Sequence, residues 1–104
     1  MLDSSSRPRR NRKSPAIRGL CRETRLSPAS LIYPLFVHEG SNDEDIASMP
    51  GCKRWSLDGL IREVTEAHSH GINAVALFPA VDESLKTPGA EECFNDDGLV
   101  QRVV

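Results

Sequence analysis

Two continuous apolar runs dominate the pattern of hydrophobic and polar positions along the chain. The first covers residues 31–37, and the second covers residues 72–78 and is closed by Pro79. Apolar runs without alternation are typical of strands buried on both faces of a parallel sheet. Pro34 lies inside the first run and cannot donate a ladder hydrogen bond, so we predict a strand whose pairing is interrupted there.

A helical pattern separates the two runs. Ser56 is a suitable N-cap, Asp58 stands near the positive end of the helix dipole, and Gly71 suits a left-handed C-terminal cap. The apolar residues recur at intervals of three and four, which predicts one buried stripe made of Leu57, Leu60, Ile61, Val64 and Ala67. The order of elements predicts a βαβ unit with neighbouring parallel strands, whose helix runs from Leu57 to about His70.

The segment between the first run and this helix carries no strand pattern. Residues 40–45 are polar and acidic, which predicts a loop, and residues 49–51 (Met-Pro-Gly) predict a turn.

Shorter helical patterns stand on either side of the βαβ unit. Ser14-Pro15 combines an N-cap with a favoured first helical residue and predicts a short helix to about Thr24. Asn95 is predicted to cap a last helix whose apolar positions share one face, namely Leu99, Val100, Val103 and Val104. Two parallel strands and one complete helix cannot cover both faces of a sheet. We therefore expect the opening part of a longer repeating β/α protein.

Charge is distributed unevenly, although the net charge is only −2. Residues 1–25 contain seven arginines and one lysine against two carboxylates, whereas residues 26–104 contain 5 basic and 13 acidic residues. A basic arm is thus joined to an acidic body. The partner of such an arm is an acidic surface, either a nucleic acid or the acidic body of another copy of the chain.

Composition excludes several classes of protein. No apolar run approaches the roughly 18 residues that a membrane span needs, and the cationic start is not followed by the apolar stretch of a secretory signal. The three cysteines form no close pair and no even set, so neither a disulfide framework nor a zinc knuckle is indicated. We predict a reducing, cytoplasmic setting, or a plastid if a transit peptide is missing from the sequence.

Six short segments stand in an order and spacing that are typical of one enzyme family. They are residues 7–12 (RPRRNR), 22–27 (RETRLS), 31–37 (LIYPLFV), 48–51 (SMPG), 77–79 (LFP) and 98–102 (GLVQR). The sequence thus resembles the N-terminal portion of the porphobilinogen synthase (delta-aminolevulinic acid dehydratase) family, from Arg7 to Val104. The likeness is greatest to the bacterial and plastid-type branch.

The resemblance implies an α/β fold, in which residues 1–26 are an extended arm and residues 27–104 are the first β/α units of a truncated (β/α)8 TIM barrel. In the family, the arm wraps a neighbouring subunit and usually builds a homo-octamer. The implied activity is that of a hydro-lyase, which condenses two 5-aminolevulinate molecules into porphobilinogen for heme and chlorophyll.

The resemblance also implies that the chemistry lies outside these residues. The family's two Schiff-base lysines stand on later strands, and its magnesium or zinc positions also follow later in the chain. A complete barrel needs roughly 250 residues. We therefore expect no catalytic residue and no metal ligand here, and we expect the 104-residue chain to be inactive by itself.

Phe78 is the one candidate for the substrate pocket. It ends the second apolar run, where a barrel places residues of its active face, and the family has a phenylalanine near the pocket at the matching position. An ordinary core aromatic is the alternative interpretation.

Arg7, Arg9, Arg10 and Arg12 are the candidates for contacts between subunits. A solvated tail and a nucleic-acid patch are the alternatives, although the arm lacks interleaved aromatic residues. Two rival functions stay open on this basis. The chain could be a non-catalytic fragment that docks on a full-length synthase, or an RNA binder with a basic arm on an unrelated scaffold.

The remaining chemically active side chains have simpler explanations. Lys13, Lys53 and Lys86 are expected to be surface residues. His68 and His70 are explained by the helix dipole, with a metal pair as the alternative. His38 and Glu39, at the end of the first run, are expected on the catalytic side of a barrel, with a direct or a supporting role.

Overall fold

The computed structural model describes residues 9–104 and contains one four-stranded sheet. The strands are β1 (Ile32–Val37), β2 (Glu44–Asp45), β3 (Lys53–Trp55) and β4 (Ala74–Pro79), in the order β2-β3-β1-β4. The α-helices are α1 (Pro15–Leu20), α2 (Leu57–Ser69) and α3 (Leu99–Val103). Four short 3-10 helices complete the described elements: Arg10–Arg12, Pro28–Ser30, Glu83–Leu85 and Glu91–Phe94.

The predicted βαβ unit is confirmed. Strands β1 and β4 are neighbours, pair in parallel over their whole length, and are joined through α2. The predicted interruption at Pro34 is wrong, because Pro34 stands in register with Ala76. Alternate residues of β1 direct their N–H groups to the same side, and the His38 N–H donates to Trp55 O of β3 at 3.1 Å. The backbone nitrogen of Pro34, which carries no hydrogen, therefore also faces the β3 side. Since β3 pairs with β1 only from Phe36 onward, no ladder bond is lost.

The loop predicted over residues 40–45 is wrong at its end, where Glu44–Asp45 form β2, and the sequence pattern did not indicate β3. Strand β3 pairs in parallel with the end of β1, and β2 pairs with β3 in antiparallel register, Glu44 opposite Arg54 and Asp45 opposite Lys53. Both strands are very short, and most of their side chains are charged and exposed. Such strands carry no apolar alternation for a sequence pattern to detect.

Helix α2 begins and ends at the predicted caps. Ser56 Oγ accepts a hydrogen bond from the Gly59 N–H at 3.2 Å, and Gly71 adopts φ +91° after the last turn. Leu60 and Ala67 are buried as predicted. The prediction of a buried stripe is wrong at Leu57 and Ile61, which are 45% and 58% exposed. Both residues border a groove that no described segment fills.

The core lies between one face of the sheet and helices α2 and α3. Its buried members are Leu35, Val37, Leu60 and Leu99. Since successive strand residues point to opposite faces, the odd-numbered residues of β1 face the helices and the even-numbered ones face away. The first turn of α3 differs from the prediction: Gly98 occupies the N-cap position, and Asn95 instead accepts a hydrogen bond from the Asp97 N–H.

Most of the described basic arm is exposed, and only Ser14, Ile17 and Gly19 are half-buried. Ser14 Oγ caps α1 by accepting from the Ile17 N–H at 3.2 Å, but the helix ends at Leu20, before the predicted Thr24. Helix α1 packs mainly against the turn that precedes it, and Leu20 and Leu26 are 84% and 89% exposed. The molecule is accordingly elongated, 69 × 32 × 27 Å. In residues 9–104, no helix has the length and apolar character to cross a membrane.

Candidate active-face site at the carboxyl ends of β1 and β4

Two aromatic residues meet on the helix-free face of the sheet. Phe36 of β1 stands opposite Phe78 of β4, and their ring centroids lie 5.7 Å apart with the planes tilted by 38°. The parity of the strands turns both rings away from α2 and α3. Phe78 is 49% exposed, so the predicted pocket residue lies on an accessible surface near the end of its strand.

His38 follows β1 at the same edge and is held by its own loop. Its Nδ1 accepts from the Gly40 N–H at 3.3 Å, which leaves Nε2 to carry the proton and donate to Asn42 O at 2.9 Å. This pair of bonds selects one neutral tautomer. Next to it, Glu39 forms an ion pair with Arg102 of α3. His38 and Glu39 border a cavity of about 280 Å³ at the carboxyl ends of the two strands.

None of the three lysines is enclosed by protein. Lys13 is exposed. Lys86 is 55% exposed and pairs with Glu83, and Lys53 lies 3.7 Å from Asp45 and 5.8 Å from the centre of the Trp55 ring. A Schiff-base lysine needs desolvation or a neighbouring cation to lower its pKa. All three side chains are accessible to solvent, which agrees with their expected surface role.

The described residues do not fit a metal centre. In residues 9–104, no three His, Cys, Asp or Glu side chains are grouped to hold an ion. His68 and His70 are exposed at the end of α2, where His70 Nε2 lies 4.0 Å from Glu66. The cysteines are free thiols at separate places, Cys52 half-buried and Cys21 and Cys93 exposed.

A polar network that the sequence pattern did not reveal fixes the loop before β2 to the start of α2. Asp43 accepts hydrogen bonds from the Ser56 hydroxyl at 2.7 Å and the Ser56 N–H at 3.0 Å, and it forms a salt bridge with Arg62 at 3.2 Å. The hydrogen bonds from Ser56 lower the pKa of Asp43, and the Arg62 charge adds to the effect. Gly59 leaves the necessary space, since a Cβ there would lie 2.0 Å from the Asp43 carboxylate.

A second unforeseen contact joins β1 to α2. The Tyr33 hydroxyl donates to Glu63 Oε1 at 2.6 Å. This hydrogen bond, together with burial and the Glu63 charge, raises the pKa of Tyr33 to about 12. The sequence contains both residues but no spacing rule that pairs a strand residue with a helix residue thirty positions later.

The arm arginines stand apart from the sheet. Arg9, Arg10 and Arg12 are exposed, and Arg7 lies outside the described residues. Their neighbours Arg18 and Arg25 donate only to carbonyl groups of the arm, Arg12 O and Gly19 O, both at 3.2 Å. None of these arginines forms a salt bridge with a carboxylate of residues 9–104.

Comparison with known proteins identifies the family. A model of the family described as delta-aminolevulinic acid dehydratase matches residues 5–104. The chain belongs to this family. The family resemblance drawn from the six sequence segments is thereby confirmed.

Curated dehydratases and a solved structure agree with this assignment. The chloroplastic delta-aminolevulinic acid dehydratase of Glycine max is 51% identical over 100 residues, which are 94% of this chain and 24% of that protein. The chloroplastic enzyme of Hordeum vulgare is 50% identical over 104 residues, 99% of this chain and 24% of that protein. The crystal structure of the Toxoplasma gondii ME49 enzyme, in complex with its reaction product porphobilinogen, superposes on this chain with a TM-score of 0.87. The two sequences are 51% identical, and this chain covers 29% of that one.

These matches set the scale of what the chain contains. It spans about a quarter of the length of the curated dehydratases it matches. Its α/β sheet corresponds to part of a solved porphobilinogen synthase. The names of the plant relatives place those proteins in chloroplasts, and nothing in the comparisons supports the predicted cytoplasmic setting.

Proposed function

We propose that residues 1–104 form the N-terminal part of a porphobilinogen synthase, which condenses two 5-aminolevulinate molecules into porphobilinogen with loss of water. The observation that carries this proposal is the family match over residues 5–104 together with the superposition on a product-bound synthase. The parallel pairing of β1 with β4 through α2 supports the further proposal that residues 27–104 are the first β/α units of a (β/α)8 barrel.

Phe78 contributes to the wall of the substrate pocket in this proposal. It lies near the carboxyl end of β4 on the helix-free face, which would be the barrel interior, and half of it is exposed beside Phe36. Barrel enzymes place their active sites at that end of the strands. Its role is to bind and orient substrate by apolar contact, because a phenyl ring can neither donate nor accept a proton.

The Schiff-base chemistry and any magnesium or zinc belong to other parts of the synthase. The lysines of the described residues are exposed, and their histidines, cysteines and carboxylates form no metal-binding group. We infer that the 104 residues do not turn over 5-aminolevulinate by themselves. A plastid location for the complete protein is favoured by the names of its plant relatives.

The basic arm, residues 1–26, assembles the synthase into a homo-oligomer. Two observations favour this role. Among residues 9–104, its arginines form no salt bridge with a carboxylate, and its apolar residues Leu20 and Leu26 are almost fully exposed. The same features suit the alternative of a non-catalytic fragment that docks on a full-length synthase through its arm.

A chimera tests the proposed activity. Residues 1–104 replace the matching segment of the Glycine max relative, and porphobilinogen formation from 5-aminolevulinate is measured. We expect activity, and we expect Phe78→Ala to lower kcat/KM by about tenfold or more, because an apolar contact with the substrate is lost. Phe94→Ala is the matched control, since Phe94 is 84% exposed and should be neutral. A folded chimera without activity would overturn the proposed function, and equal effects of the two substitutions would overturn the pocket role.

A further inference from the structure

The loop of residues 38–43 joins β1 to β2 and is held in place by polar contacts alone. Most of it is exposed, and it contains no apolar side chain. At one end Glu39 forms an ion pair with Arg102 of α3, and at the other Asp43 accepts a hydrogen bond from Ser56 at the start of α2. Ordering an exposed segment costs conformational entropy, which a simple connection between two strands would not need to spend. The contacts therefore indicate that the position of this loop matters.

His38 holds the middle of the loop. Its Nδ1 accepts from the Gly40 N–H at 3.3 Å, and its Nε2 donates to Asn42 O at 2.9 Å. The ring lies so close to the backbone that a Cβ on Gly40 would be 2.7 Å from Nδ1. Both ring nitrogens are thus used within the loop, and the glycine makes this arrangement possible.

The bond to Gly40 exists only while His38 is neutral. A protonated Nδ1 becomes a donor and opposes the Gly40 N–H, whereas the bond from Nε2 to Asn42 O does not depend on the second proton. Histidine is the side chain whose charge changes most readily between about pH 5 and about pH 8. Protonation of His38 would therefore remove one of the two bonds that hold the middle of the loop.

The charged groups around His38 come from several elements. Two carboxylates of the segment after β4 border the same cavity as His38, and Glu39 also borders it while paired with Arg102. On the other side, β3 places the uncharged Trp55 next to His38, one residue after Arg54. Attraction to carboxylates across the cavity favours a ring that has left the loop once it is charged. The two carboxylates are Asp82 and Glu92.

The loop lies beside the residues assigned above to the substrate pocket. His38 is two residues beyond Phe36, whose ring packs against Phe78. The cavity of about 280 Å³ that His38 borders is also lined by Ala80, two residues beyond Phe78. In barrel enzymes, the loops that follow the carboxyl ends of the strands build the active site. Movement of the loop would therefore change the edge of the pocket.

We propose that neutral His38 is a positioning residue, which fixes the loop of residues 38–43 at the edge of the substrate pocket, and that its protonation releases the loop and weakens substrate binding. The proposal rests on the proposed synthase function and adds a pH-dependent element to the same site. His38 acts through Gly40 and Asn42 and takes no part in the chemical step.

The chimera with the Glycine max relative provides the test. KM and kcat for 5-aminolevulinate are measured from about pH 5 to about pH 8. In His38→Asn, the amide oxygen can still accept from the Gly40 N–H but does not titrate, whereas His38→Leu fills similar space without a hydrogen bond. Gly40→Ala places a methyl group against the ring. His70→Asn is the matched control, because His70 is an exposed histidine at the end of α2.

We expect KM of the chimera to rise several-fold as the pH falls through this range, and His38→Asn to remove at least about half of that rise. His38→Leu and Gly40→Ala should raise KM about fivefold at the upper end of the range and change kcat less than about twofold, as expected for lost binding. His70→Asn should keep the original profile. Identical KM profiles with and without His38→Asn, or an unchanged KM in His38→Leu, would overturn the proposal.

Nuclear magnetic resonance of the ¹⁵N-labelled 104-residue chain tests His38 independently of activity. Near neutral pH we expect the ring proton on Nε2, and we expect the Gly40 amide signal to shift with the same midpoint as the ring signals. A proton on Nδ1, or a Gly40 amide that does not follow the ring, would overturn the role of His38. A folded but inactive chimera would instead overturn the proposed synthase function, so the two failures are distinguishable.

Discussion

Ser56 performs two tasks at the start of α2. Its hydroxyl accepts from the Gly59 N–H and so caps the helix, and it donates to Asp43, which holds the preceding loop. The capping role follows from the residue type and its position before an apolar stripe. The bond to Asp43 could not be foreseen, since Asp43 is one of several carboxylates in an acidic loop and only the folded chain brings it to the helix.

Asp43 should make the stability of the chain depend on pH. Because the hydrogen bonds from Ser56 lower the pKa of Asp43, its ionised form stabilises the fold above the unfolded-state pKa of about 3.8, and this contribution is lost as pH falls below that value. We expect Asp43→Asn to lower the urea midpoint at pH 7 and to converge with the wild type at acid pH. The control is Asp45→Asn, because Asp45 is 85% exposed. A constant difference across the pH range would contradict this assignment.

Leu60 and Ile61 are neighbours with opposite environments. The helical pattern assigned both to one buried stripe, but Leu60 is 3% exposed and Ile61 is 58% exposed. In the 104-residue chain, we expect Leu60→Ala to cost about 2–5 kcal/mol of the free energy of unfolding. Ile61→Ala should cost less than about 1 kcal/mol. Urea unfolding with unchanged m-values measures both, and equal losses would place Ile61 in the core after all.

At the scale of elements, the long apolar segments were predictable and the short polar ones were not. Residues 31–37 and 72–78 became β1 and β4, and the caps of α2 stand where the sequence placed them. Strands β2 and β3 exist because the end of β1 offers ladder hydrogen bonds to β3. This is a tertiary effect that leaves no periodicity in the sequence. The prediction at Pro34 was wrong for a related reason. A proline is tolerated at this position of β1 because β3 begins to pair only at Phe36 and so needs no N–H from Pro34.

Helix α1 should be the least stable α-helix of the isolated copy. It has six residues, and its apolar side chains are largely exposed, whereas α2 has 13 residues and packs on the core. At low protein concentration in high salt, we expect amides of residues 16–21 to exchange at nearly the unfolded rate and those of residues 60–69 to be protected. Hydrogen exchange followed by mass spectrometry checks this. Equal protection of both helices would mean that α1 is packed within its own chain.

At the scale of the whole molecule, we propose that function is divided between this chain and the rest of the synthase. The described residues supply a parallel βαβ unit, an accessible Phe78 and an exposed basic arm. Family membership could be predicted because six short segments occur in a fixed order. The pocket role of Phe78 stays a prediction, because a pocket wall is completed by residues distant in the chain.

Trapping of the substrate Schiff base tests this division most directly. The chimera with the Glycine max relative is incubated with 5-aminolevulinate, reduced with borohydride, and digested for mass spectrometry, which locates the modified lysine. We expect every adduct that depends on substrate to lie outside residues 1–104, and we expect the 104-residue chain alone to form none. A substrate-derived adduct on Lys13, Lys53 or Lys86, together with porphobilinogen formation by the chain alone, would contradict the proposal that these residues provide the framework and not the chemistry.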